Sequence, residues 1–303
     1  MTLRLGTSLR HLRDGFFGWF EGPCDPYPFA VFRLSFYSGI LLHFLPSVLA
    51  FDHNYKAAIA RVTSYHSGIH HSWDAVPNPV ASVFPWLVMA ICTAGLLGVM
   101  PRLSAALSGL GLYVLVSVND INTQTLALSP MFAILWIWAV FGGGNKVLSL
   151  RAVVQGNSRV GSLTTQRVIA AHVLIGFFFA GIEKLLAGWP LRNEMAILFV
   201  YPEHLVTRSW AAELPPEWAI VFGSLLGIST LAVELVGPFA LLLRQTRLPA
   251  LIVFELFFVG IVLVLAVPPL FAFIYVPAAW LTRPAKPREA EASTLVGRRV
   301  TAA

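Results

Sequence analysis

The sequence predicts an all-α, polytopic transmembrane helix bundle of about eight spans, with both termini cytoplasmic. Three observations predict it. Charged residues make up 12% of the 303, about half the share usual in soluble globular proteins. Hydrophobic residues reach 57% and the mean hydropathy is +0.73, more apolar surface than a core of this size can bury. The apolar residues also fall into runs close to the length a helix needs to cross about 30 Å of hydrocarbon. The solvent of most of the chain is therefore lipid. A soluble enzyme, a disordered chain and an ordinary nucleic-acid-binding domain are excluded, despite a net charge of +6. In a membrane protein such an excess of Lys and Arg marks cytoplasmic loops and contact with anionic lipid.

Taken in order, residues 1–27 read as an amphipathic, interfacial N-terminal segment. Leu5, Leu9, Leu12, Phe16 and Phe20 recur at helical spacing among Arg4, Arg10, Arg13 and Asp14, with no clean apolar core before a cleavage site. Residues 28–282 read as one transmembrane domain. Its apolar runs lie at roughly 28–50, 80–100, 103–122, 124–141, 168–187, 217–243, 248–266 and 268–282. Only Val267-Pro268-Pro269 separates the last two, so seven spans plus a re-entrant piece is the alternative, and charge arbitrates. With eight spans and the N-terminus inside, 15 basic residues fall on cytoplasmic segments and 4 (Lys56, Arg61, Arg192 and Arg208) on outer loops. That is the asymmetry the positive-inside rule predicts. Residues 283–303 read as a basic, disordered tail. Gly95, Gly98, Gly223 and Gly227 read as points of close helix packing. The polar stretch 142–167 has glycines but no GK[ST] and no preceding strand, so it is a loop and not a phosphate cradle. Cys24 and Cys92 imply no disulfide framework.

Ionisable groups inside apolar spans are costly and each is a functional candidate. On this orientation Arg33, Glu234 and Glu255 all fall in the inner half, where Arg33 with Glu234 or Glu255 reads as a structural ion pair between helices. A second set sorts outward: Glu183 and Lys184 on the fifth span, Asn119, Asp120 and Asn122 on the third, and His43 on the first. The loop 51–79 adds His66, His70 and His71. Two histidines four apart can share a metal, but this pattern lacks both an HExxH glutamate and a cysteine, so no metal is expected. Lys184 is the sharper candidate. It follows Phe177-Phe178-Phe179 and precedes Trp189; desolvation there favours the neutral amine, which is a base. The alternative is a lysine that snorkels to the interface or pairs with Glu183 or Asp120.

The segment Ala180-Gly181-Ile182-Glu183-Lys184-Leu185, with Trp189 following, resembles the AG-x-x-K-L…W motif of vitamin K-dependent γ-carboxylases, which belong with the wider HTTM group of membrane proteins. Pro26-Tyr27-Pro28-Phe29-Ala30-Val31-Phe32-Arg33 is similar to that family's entry to its first span. The resemblance implies that Lys184, and no other residue, is the base that deprotonates reduced vitamin K or a related quinol; Glu183, Asp120, Asn119, Asn122, His43 and Trp189, read from their place towards the outer side, are the candidate pocket residues around it. Oxygen then converts the hydroquinone to a strong base that removes a γ-proton from a peptide glutamate, and the carbanion takes up CO2. Three departures accompany the resemblance. The carboxylases continue into a large β-rich extramembrane part, whereas residues 283–303 alone follow the last run here. A family histidine in the seventh span corresponds to Phe254-Glu255, and Asn119-Asp120-Ile121-Asn122 stands where relatives often carry histidine.

The expected function is therefore a γ-carboxylase-like enzyme using a reduced quinone, O2 and CO2 in an outward-opening pocket. It is expected to sit in the cytoplasmic (inner) membrane of a bacterium, with the bilayer, the lipophilic quinol and a secreted peptide or protein substrate as partners. One alternative is a non-catalytic HTTM partner for the maturation, export or immunity of a secreted peptide. Another is a quinone-binding subunit or a transporter.

Overall fold

The computed structural model describes residues 23–49, 78–118, 125–155, 161–189, 214–243, 245–264 and 270–282. The N-terminal segment, the loop 51–77 with its histidines, residues 119–124, and the C-terminal tail lie outside them. So do Asn119, Asp120, Asn122, His66, His70 and His71. The described chain is helical apart from one two-residue antiparallel pairing. In order it runs β1 (Pro23–Cys24), α1 (Tyr27–Leu49), α2 (Asn78–Leu96), α3 (Pro101–Val118), α4 (Thr125–Phe141), α5 (Leu150–Gln155), β2 (Gly161–Ser162), α6 (Leu163–Leu186), α7 (Pro216–Leu242), α8 (Arg247–Val264) and α9 (Leu270–Trp280). Each apolar run of the sequence has a helix on it. Three of them are long and apolar enough to cross a membrane: Tyr27–Pro46, Leu163–Leu186 and Pro216–Leu242. The last run carries only the 11 residues of α9, about 16 Å of helix.

Helix ends follow local chemistry. The Asp25 carboxylate accepts the Tyr27 N–H at 3.0 Å at the start of α1, and Pro101 and Pro216 open α3 and α7, where a missing N–H costs nothing. Outward faces are apolar: Phe179 is 63% exposed, Leu225 61% and Leu256 67%. In water each would forgo about 1.5–3 kcal/mol of burial; against lipid tails the cost vanishes.

The chain forms two compact units. The first holds residues 23–37, α2 to α5 and the start of α6. Its core is an aromatic stack on Trp138 of α4, with the rings of Phe29, Phe32, Phe36 and Tyr37 at 5.0, 5.9, 6.2 and 5.6 Å between centroids. Those four residues fall on one face of α1 by helical spacing. Gly95 of α2 admits Tyr37, since a Cβ there would lie 2.4 Å from the ring. At one end of this unit β1 pairs with β2, the Leu150 N–H bonds the Leu97 carbonyl and Arg102 bonds the Phe141 carbonyl. The start of α1, the end of α2, the start of α3, the end of α4 and the start of α6 therefore meet there, as alternating helix directions require.

The second unit holds residues 38–46, the rest of α6, and α7 to α9. In it α7 packs on α8 and α8 on α9. Phe177 of α6 meets Phe254, Phe258 and Tyr275 edge-on, and Phe258 stacks on Tyr275 at 5.1 Å. Such pairs add about 0.5–1.5 kcal/mol each beyond the area they bury.

Candidate functional site

The site lies in the second unit, between α6 and α7. Gly181 of α6 lies at this contact. A Cβ on it would stand 2.9 Å from Leu235 Cδ2 and 3.0 Å from Glu234 Cβ, so any larger residue there would push the α7 side chains away, and glycine favours the close packing. One turn later on α6, Lys184 Nζ lies 2.5 Å from Glu234 Oε1 and 2.6 Å from Oε2. The ammonium straddles both carboxylate oxygens.

Local sequence holds Lys184 in place. The last turn of α6 carries it as its basic residue, which suits the negative end of the helix dipole. Gly188, at φ +78°, then ends the helix in a left-handed turn, with its N–H on the Leu185 carbonyl at 3.1 Å. Glycine is the residue that adopts this turn without strain. The turn brings Trp189 back so that its ring centre is 5.3 Å from Lys184 Nζ, a cation–π contact. On α7, Pro238 follows Glu234 by four residues and has no N–H to give the Glu234 carbonyl.

The two partners are unequal in access. The Glu234 side chain is 7% exposed and that of Lys184 is 23%. The nitrogen is the more accessible end of the pair.

The expected ion pair of Arg33 with Glu234 or Glu255 would join the two units; within each unit these residues have other partners. Glu234 is taken by Lys184. Arg33, fully buried in the first unit, donates to three backbone carbonyls, those of Leu96, Gly144 and Leu148. Gly142, Gly143 and Gly144 have φ of +74°, +94° and +81°, a run of left-handed backbone that turns the carbonyl of Gly144 inward, and Gly98 leaves room for the guanidinium. The stretch read as a plain loop is the cradle of a buried arginine. Glu255 accepts the Trp280 indole N–H at 2.8 Å. The sorting by depth also changes: it placed Lys184 in the outer half and Glu234 in the inner half, yet the two side chains touch. Hydropathy counts residues along each run and does not know how far one helix slides against the next.

Of the residues expected around Lys184, Trp189 is in contact with it. Glu183 is exposed, and the His43 ring packs edge-on against Phe44 at 4.8 Å. Glu234 is the residue that sequence reasoning assigned to the wrong partner. The available signal was Gly181, a small residue one turn before the lysine. Among the described residues no group of three His, Cys, Asp or Glu is placed to hold a metal.

Away from the spans, Cys24 of β1 is buried, and its Sγ accepts a hydrogen bond from Gln166 Nε2 at 2.8 Å. Burial, with the nearby Asp25 charge second, pushes its thiol up to about 11.

Compared with known proteins, the chain matches no family model, no curated protein and no solved structure.

Proposed function

We propose that this chain is a multi-pass protein of a bacterial inner membrane, with about eight crossings and both ends cytoplasmic, that performs γ-carboxylase-like acid–base chemistry on a reduced quinone. The observation that carries the reading is the Lys184–Glu234 pair, an ammonium and a carboxylate in contact within an apolar helical unit. Groups held together and shielded from water exchange protons with a bound acid far more readily than free side chains do. The surroundings fit a lipophilic quinol: Trp189 lies beside the nitrogen, Phe177 and Phe178 precede it on α6, and the lysine retains partial access. A bound quinol would supply the acidic hydroxyl and, with O2, the oxidation that drives carboxylation. The chain supplies the base, the apolar walls and the exclusion of water.

The test is vitamin K epoxide formation by purified protein in lipid nanodiscs. The assay contains the hydroquinone, oxygen, bicarbonate and a short glutamate-containing peptide, with Lys184→Ala as control. Epoxide formed by the wild type and lost in the variant is the expected result. Equal, background epoxide from two folded proteins would remove the enzyme reading. It would favour a non-catalytic partner of a secreted peptide, for which co-purification of that peptide is the direct assay.

A further inference from the structure

Lysine as a base faces a difficulty in this geometry. An ammonium that straddles both oxygens of a carboxylate at 2.5 and 2.6 Å has no free lone pair with which to take a proton. The difficulty disappears when the two residues act as one unit. We propose that the base of this site is the Lys184–Glu234 dyad, with Glu234 as the final proton acceptor and Lys184 as the group that relays the proton and keeps its charge. This inference rests on the quinol reading above.

The step balances without any further reactant. An N–H bond of the Lys184 ammonium breaks as an O–H bond forms on a Glu234 oxygen. The nitrogen lone pair released takes the hydroxyl proton of the bound acid, so that N–H reforms as the acid's O–H breaks. Lys184 ends as it began, an ammonium, now facing the oxygen that has lost its proton. Glu234 ends as a carboxylic acid. The dyad passes from net neutral to one positive charge, opposite one new negative charge.

Three features support this order. Glu234 is the more buried partner, 7% exposed against 23% for Lys184, so the nitrogen is the more accessible end of the pair. The bidentate contact gives the departing proton a short path to either oxygen. A cation kept beside the developing oxyanion stabilises it most where water is excluded. Gly181 is part of the device, because the close approach of α6 and α7 at that residue brings the carboxylate within reach. Glu234 acts through Lys184 and is a positioning and proton-accepting residue.

The experiment is an anaerobic infrared and absorbance titration of the full chain in nanodiscs with menadione hydroquinone, on the wild type, Glu234→Gln and Glu234→Asp. Without oxygen the reading stops at proton transfer. The expected result in the wild type is a new carboxylic-acid C=O band together with the absorbance of deprotonated hydroquinone. Both should be absent from Glu234→Gln and both partly restored in Glu234→Asp. Deprotonated hydroquinone without the acid band, or its formation by Glu234→Gln, would overturn the dyad and leave Lys184 as a base by itself. Absence of both signals from folded wild-type protein would overturn the quinol reading and the dyad with it.

Discussion

Each compact unit contains a cation set among apolar helices, Arg33 fully buried and Lys184 partly so, and the two are accommodated in opposite ways. In the first, among the described residues, Arg33 meets backbone carbonyls and no carboxylate; three of them surround the guanidinium, one at the end of a glycine run whose backbone other residues do not readily adopt. In the second, Lys184 faces a single carboxylate and a tryptophan ring. The carbonyl cradle suits a charge that never changes, because arginine stays protonated in proteins and amide oxygens do not take its proton. A carboxylate beside an amine is different in kind, since the proton has a place on either partner. The first arrangement fixes backbone geometry and the second can do chemistry.

That contrast is tested most severely at Arg33. Arg33→Met takes the guanidinium away from three carbonyls, one buried and two part-buried; a buried acceptor left unsatisfied costs about 1–3 kcal/mol, and no second substitution can delete a carbonyl. The expected outcome is loss of folded protein on size exclusion in detergent. Recovery of a monodisperse species with an unchanged melting temperature would end the view of Arg33 as a structural keystone.

The pair should behave differently. Lys184→Met strands a buried carboxylate at a cost of about 3 kcal/mol, and Lys184→Met/Glu234→Leu, which removes both charges, should regain most of it. Thermal unfolding of the two single variants and the double completes the cycle. Strict additivity would mean that the two side chains are not coupled, contrary to their contact.

The smallest effect lies outside the spans. With the Cys24 thiol raised from 9.0 to about 11, and thiolate as the reactive species, maleimide labelling of folded Cys24 should stay slow at pH 8 and rise towards pH 11. Unfolded protein should label about two pH units earlier. The sign for stability follows: the folded state holds this proton more tightly, so the contribution is complete below pH 9 and is lost as pH rises through 11. Labelling of Cys24 in folded protein at the unfolded rate would show that the thiol is not buried.

Much of this fold was legible in one dimension. The runs at 28–50, 168–187 and 217–243 became α1, α6 and α7 within a few residues, because hydropathy reports which stretches avoid water and helices alone satisfy their own backbone in lipid. The candidate lysine was legible too, from a charge set among phenylalanines. Its partner was not. Arg33 and Glu234 were matched by counting depth along each run, a count blind to the sliding of one helix past another and to the face on which a residue sits. The glycines at 142–144 read as a loop because a left-handed turn leaves no periodicity to detect.

The sequence by itself determined where the helices lie, that the chain prefers lipid to water, and that Lys184, Glu234, Glu255 and Arg33 would each need a partner. Only the tertiary structure decided which partner each received: Glu234 for Lys184, the Trp280 indole for Glu255, and three carbonyls for Arg33. The physical reason is that burial of a charge is a property of one residue and its apolar run. Pairing instead depends on the rotation and register of two helices, as where Gly181 of α6 leaves room for the Glu234 and Leu235 side chains of α7.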